Sequence, residues 1–249
     1  VAWTGSIAEN TGSIVTSGEQ AYGMFAENSS LATNGLSGDI QTLGVGSHGM
    51  VASNDSMAQN AGSILTTGDY ADGMLASNAS HGSNTYGGLI MTAGYGSFGM
   101  SAVDSSSVLN YGGILTLGAQ AAPGMAARNG SAAINGEEGM IFTNGQYSRG
   151  MEAHYNSQAE NRGYIQTWGE EAPGIYVSDS STGKNEGRIQ TEGTGSRGME
   201  AIWESSADNS GWIVTIGEEA HGMVAWISSD VVNSGLIDTS GDRSFGMMA

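Results

Sequence analysis

The chain has 249 residues, no cysteine, 41 glycines and only 2 prolines, and its 25 acidic against 7 basic residues give a formal charge of −18. Such a charge argues against nucleic acid and anionic membrane surfaces as partners, and leaves cations and basic partners open. The glycine lacks the three-residue period of collagen, no cysteine exists for a disulfide framework or thiolate metal site, and no stretch of 18 apolar residues exists to insert in a membrane.

The glycine of a G-x-I-x-T-x-G motif recurs at 12, 38, 62, 88, 112, 139, 163, 187, 211 and 235, in steps of 24, 26 or 27 residues. A fixed period in this range marks a solenoid. Within one period the first predicted strand carries an unbroken Ile column (Ile14 to Ile237) and, two residues on, an unbroken Thr column (Thr16 to Thr239). Residues two apart share one face of a strand, so Ile and Thr are predicted to point inward. The residue between them varies (Val15, Gln41, Leu65, Met91, Asp238), as a solvent-side position does. The Thr hydroxyls are expected to bond along the column.

A glycine follows two residues after each Thr, from Gly18 to Gly241, and reads as a corner with positive φ. The second strand opens with Gly-Met, as at Gly49-Met50, and has a small residue two further on; Ile175 is the one replacement for Met. Met at this frequency reads as core filler. The third segment is S-x-A-x-N, from Ser6 and Asn10 to Ser229 and Asn233. Stacked Asn can form amide ladders, and the tolerance of Asn for left-handed backbone suits a corner. The periodicity therefore predicts an all-β β-solenoid of about ten coils of 24–27 residues, each with three short strands. At ~4.8 Å per coil the rod is near 48 Å long. Residues 1–249 read as one array, a segment of a longer chain, with sheet edges at its ends that invite end-to-end association.

A longer period lies inside the first. The residue two before Gly-Met or Gly-Ile alternates Ala and Ser without a break, from Ala21 and Ser47 to Ala220 and Ser244, so the full unit is two coils, about five repeats of ~50 residues. Glu170 and Glu171 are expected beside Arg149 and Arg197 on neighbouring coils as exposed charge pairs, whose removal would barely change stability.

Little in the chain points to catalysis. The pairs Glu137-Glu138, Glu170-Glu171 and Glu218-Glu219 read as solvated corner charge. The four histidines fall in different columns or distant coils, with no H-E-x-x-H, so no metal site and no cofactor is predicted. The calcium nonapeptide is absent, leaving only weak Ca²⁺ binding at acidic corners. A lone inward Thr column does not make an ice-binding array. The informative irregularity is a set of large apolar residues at solvent-phase positions: Leu89, Met91, Leu115, Phe142, Tyr164, Trp168 and Trp212, with Leu65 and Trp226 added. Contiguous exposed apolar surface usually means a contact face. The occupants considered are a neighbouring segment of a longer chain, a partner protein, another rod, or sugar rings.

The columns G-x-I-x-T-x-G, A-x-G-M-x-A and S-x-A-x-N resemble the repeats of bacterial autotransporter passenger regions and related large secreted adhesins, over essentially the whole chain. The resemblance implies a right-handed parallel β-helix displayed outside the cell, acting as a stalk or adhesive surface without catalysis, its partner a host or cell-surface protein or a glycan. Two alternatives remain: a self-assembling fibre module, stacking end to end or laterally, and a polysaccharide-binding or polysaccharide-cleaving β-helix enzyme. The enzyme would need acids and cations on one face, and Glu170, Glu171, Arg149 and Arg197 come nearest.

Overall fold

The computed structural model describes residues 1–118 and 120–249. Among them the chain forms 31 strands and no helix, in three parallel sheets. Sheet A has eleven strands, from Ala2–Trp3 to Met247–Met248; sheet B has ten, from Ile7–Asn10 to Asp230–Asn233; sheet C has ten, from Ser13–Thr16 to Leu236–Thr239. The chain visits A, B and C in turn, so each strand pairs with its counterpart one coil away. Register sets like over like: Ile64 pairs Ile90 and Thr66 pairs Thr92 in sheet C, Met74 pairs Met100 in sheet A, and Asn84 pairs Asn110 in sheet B.

One Ile, one Met or Ile and a few small residues per coil fill the interior, and from Ile40 to Ile213 the Ile column is fully buried. Each such side chain contributes about 1.5–3 kcal/mol by burial, but only once a coil above and a coil below close over it. The varying position between Ile and Thr faces outward, with Val15 61% exposed. The predicted β-solenoid with three strands per coil is the fold observed.

Three corner expectations need correction. The glycines after each Thr are not left-handed; of that column only Gly145 has a positive φ, at 154°. They are glycine because backbones pass too close for a side chain: a Cβ on Gly68 would lie 1.9 Å from the Gly44 carbonyl oxygen. The Asn column does form an amide ladder, each Nδ2 donating to the Oδ1 of the next coil at 2.7–2.8 Å from Asn10 through Asn233. Its backbone is not left-handed, however. The left-handed pairs belong to the corner between sheets A and B, as at Asn54-Asp55 (φ 55° and 59°). Finally, most Thr hydroxyls bond across their own coil. Thr66 Oγ1 donates to the Ala71 carbonyl at 2.7 Å and Thr191 Oγ1 to the Ser196 carbonyl at 2.7 Å.

Two serine columns complete the hydrogen bonding. In the S-x-A-x-N segment each Ser N–H donates to the hydroxyl of the Ser one coil on, as Ser80 does to Ser106 Oγ at 3.1 Å. The alternating Ala/Ser column has a different logic. The Ser97 hydroxyl accepts the Ala71 N–H at 3.0 Å and donates to the Gly68 carbonyl at 3.0 Å. Ser196 does the same for Ala172 and Gly169. Each Ser coil thus satisfies the Ala coil before it, a physical account of the two-coil period.

Candidate functional site

The outer face of sheet C holds the predicted contact residues. Leu89 shares a column with Met140, Tyr164, Arg188 and Trp212; Met91, Leu115 and Phe142 occupy successive rungs of the column beside it. Outward columns two residues apart stand on one face, so the register itself merges residues up to 123 positions apart into one strip. The Phe142 ring stacks on Trp168 with centroids 5.8 Å apart and planes at 12°, and meets the Tyr164 ring edge-on at 5.8 Å. Leu89, Trp168 and Trp212 are exposed, while Met91, Leu115, Phe142 and Tyr164 are half-buried against one another.

Arg188 joins Trp212 to the strip. Its guanidinium lies 4.6 Å from the Trp212 ring and 5.6 Å from that of Tyr164. Polar groups border the rings: Tyr164 donates its hydroxyl to Gln166 Oε1 at 2.9 Å, and Gln166 and Gln190 each donate to Glu192 Oε1 at 2.7 Å. A groove of about 620 Å³ opens beside them, lined among others by Met140, Tyr164, Glu186, Arg188 and Trp212. Met140 and Arg188 were missed as members of this face. Reading the column through Leu89 and Tyr164, rather than the large residues singly, would have found both. Trp226 does not belong to it: it follows the sheet A strand Met223–Ala225, on another side of the rod.

Sheet A carries a second cluster that the sequence did not reveal. Glu152 is only 2% exposed although it stands on an outward column, between Ala126 and Tyr176. Arg128 Nη2 lies 2.6 Å and Arg149 Nη1 2.7 Å from its carboxylate, and His154 Nε2 lies 3.6 Å away. The Arg149 guanidinium in turn covers the Tyr176 ring at 3.9 Å. Burial raises the pKa of Glu152, but the His154 contact and the Arg149 and Arg128 charges outweigh it and hold the carboxyl well below its usual range. Asp72 and Glu200, on the same side of the rod, are shifted the other way: burial pushes both upward. Nothing in the sequence of this column signals burial, because it depends on how Arg149 and His154 of the same coil and Arg128 of the coil before fold over the carboxylate.

The expected charge pairs form only in part. Arg197 Nη1 meets Glu171 Oε2 at 2.8 Å, but Arg149 turns to Glu152, and Glu170 accepts from Gln146 instead. Arg149 is therefore not a dispensable surface cation: it covers a buried carboxylate. The pairs Glu137-Glu138, Glu170-Glu171 and Glu218-Glu219 are exposed. No group of three or more His, Cys, Asp or Glu that could hold a metal ion occurs among the described residues.

Comparison with known proteins gives one match. The family described as the BigA third pectate lyase-like domain, a domain of bacterial surface proteins, matches residues 1–139 and again residues 116–249. No curated protein and no solved structure matches the chain. The two matches overlap over 116–139, about one coil, as a repeating array permits, and together they span all 249 residues. The chain belongs to the BigA third pectate lyase-like domain family.

Proposed function

We propose that this chain is a non-catalytic, extracellular surface module whose sheet C face is an adhesive contact surface for a protein on another cell. The observation that carries this is the apolar and aromatic strip from Leu89 to Tyr164, joined to Trp212 by Arg188, on one side of a rod whose interior is already closed. The inter-coil ring contacts tie neighbouring coils together, but Leu89, Trp168 and Trp212 stay exposed after the coils have stacked, and exposed apolar surface of this kind marks a contact face. Membership of a bacterial surface family supports display outside the cell, and the likeness to autotransporter passengers supports export as a stalk.

The test is adhesion of protein-coated beads to cultured cell layers, comparing the chain with the double substitution Leu115→Ser and Trp212→Ser. Adhesion falls at least tenfold while circular dichroism shows the β-solenoid retained, with only a small fall in melting temperature because Leu115 is half-buried. Undiminished adhesion overturns the reading. Light scattering of the same samples separates the fibre alternative, in which the original chain associates and the double variant does not, with adhesion unaffected.

A catalytic reading has one observation in its favour. Glu152 and Glu200 stand two coils apart in one column, about 9.6 Å by strand spacing, with pKa values pushed in opposite directions. Glycan cleavage that is abolished by Glu200→Gln would establish it.

A further inference from the structure

The corner between sheets A and B repeats two left-handed residues in every coil. Its first position reads Thr4, Asn28, Asn54, Asn78, Asp104, Asn129, then Tyr155, Asp179, Trp203 and Ile227, all with φ between 47° and 58°. Asn and Asp suit this backbone, and in the first half they also bond to each other: Asn78 Nδ2 to Asn54 Oδ1 at 3.1 Å, Asn129 Nδ2 to Asp104 Oδ1 at 2.9 Å. Tyr, Trp and β-branched Ile do not suit it. Three of the last four coils therefore place poorly adapted residues where a small polar residue serves elsewhere. Nor are the three covered: Tyr155 is 56%, Trp203 47% and Ile227 64% exposed. Unfavourable backbone combined with exposed apolar surface is a local rule broken without a packing gain, a feature that strained functional sites share.

These residues line one groove of about 400 Å³, with Asp179 between Tyr155 and Trp203, and Glu204 beside them. Tyr155 and Trp203 are two coils apart, about 9.6 Å by strand spacing, with Asp179 on the coil between them, its Oδ2 accepting from Ser178 Oγ at 2.6 Å and lying 3.9 Å from His154 Nδ1. Asn156, Ser180 and Ser228 supply the remaining polar lining, and no Lys or Arg contributes. Aromatic rings with carboxylates and no lining cation select a cationic group, through cation–π attraction and charge-assisted hydrogen bonding together.

We infer that this corner groove binds a lysine- or arginine-bearing extended segment of a partner protein, running along the rod axis. The site is separate from the sheet C face and does not depend on it. The formal charge of −18 makes some attraction for any polycation certain, so the experiment must separate the groove from the general field.

The probe is the peptide acetyl-Lys-Ser-Lys-Ser-Lys-amide, titrated calorimetrically into the 249-residue chain at physiological salt, where exposed charges are screened beyond about 8 Å. Trp203→Asn and Asp179→Asn each weaken binding at least tenfold, while Glu138→Gln, the same charge change away from the groove, leaves it within twofold. Trp203→Asn also keeps or raises the melting temperature, because Asn suits the left-handed backbone. Equal binding by Trp203→Asn overturns the proposal, as does an equal loss with Glu138→Gln. A fall in melting temperature with Trp203→Asn assigns the ring to holding the corner and overturns it too. So does binding of a neutral oligosaccharide, such as cellohexaose, that Trp203→Asn abolishes while the peptide fails to bind.

Discussion

At the scale of single residues, identical positions in different coils give internal controls. Thr66 and Thr42 are both fully buried at the same column, yet Thr66 Oγ1 donates to Ala71 while Thr42 Oγ1 is buried without a partner. A buried, unsatisfied hydroxyl costs about 1–3 kcal/mol, whereas a satisfied one contributes about 1 kcal/mol net. Thr42→Val is therefore expected to stabilise the chain by about 1 kcal/mol and Thr66→Val to destabilise it by about 1 kcal/mol, read by denaturant melts. Effects of the same sign at both positions would contradict this placement. The column itself was legible in the sequence, since an unbroken Thr two residues from an unbroken Ile fixes which way both point. What the Thr hydroxyl bonds to was not, because the acceptor lies five residues on, across a corner whose path the sequence does not specify. The two prolines obey similar local logic. Pro123 and Pro173 stand where Asp72 and Phe98 have an N–H that takes a side-chain acceptor from the coil before, His48 Nδ1 and Asp72 Oδ1 respectively. Proline at that column has no N–H to satisfy.

At the scale of one sheet, inward and outward columns differ in what the sequence discloses. Inward columns repeat because each coil meets the same neighbours, so Ile, Met and Ala announce themselves. Outward columns vary, and their burial depends on which long side chains fold over them. Glu152 shows the consequence. Replacing it by Gln leaves Arg128 and Arg149 partly buried without their anion, and breaking a buried pair costs about 3 kcal/mol. The pH dependence has a definite sign. The carboxyl is held below its ordinary value of 4.5 in the folded chain, so its contribution is present above that pH and is lost as pH falls toward the folded pKa. Glu152→Gln is accordingly most harmful at neutral pH, and its deficit shrinks in acid below about 4.5. A deficit that grows with acidification, measured by thermal melts across pH 3 to 8, would refute the clamp. The sheet C strip was legible because large apolar residues at a solvent phase stand out. Arg188 was not, since a cation at such a phase looks like ordinary solvated charge until its two ring neighbours are known.

At the scale of the whole rod, decoration is uneven. All 7 cations lie at or after residue 128, as do 17 of the 25 acids, so the first 127 residues carry 8 acids and no cation, a charge of −8, against 7 − 17 = −10 for the remainder. Four of the five tryptophans, the buried Glu152 cluster and the left-handed Tyr, Trp and Ile corners fall in that later part as well. The earlier coils are the plainer scaffold. A chain of this net charge repels itself, and screening should help it. Raising ionic strength from 0.01 M to 0.15 M shortens the screening length from about 30 Å to about 8 Å. The melting temperature is expected to rise by about 3 °C, equivalent to ~1 kcal/mol for a domain of this size. A fall on adding salt would mean that the ion pairs on sheet A and at the corners outweigh the repulsion.

The asparagine ladder is also an arrow. Every rung hands its proton toward the later coil, from Asn10 to Asn34 and on to Asn233, so the aligned amide dipoles reinforce one another in a single sense. Any further turn added at either extremity, by the same polypeptide or by a second one, extends the series only if it points the same way. A coil stacked on this ladder would therefore continue it in one sense only: tail would follow head, whereas two like extremities would meet acceptor to acceptor or donor to donor.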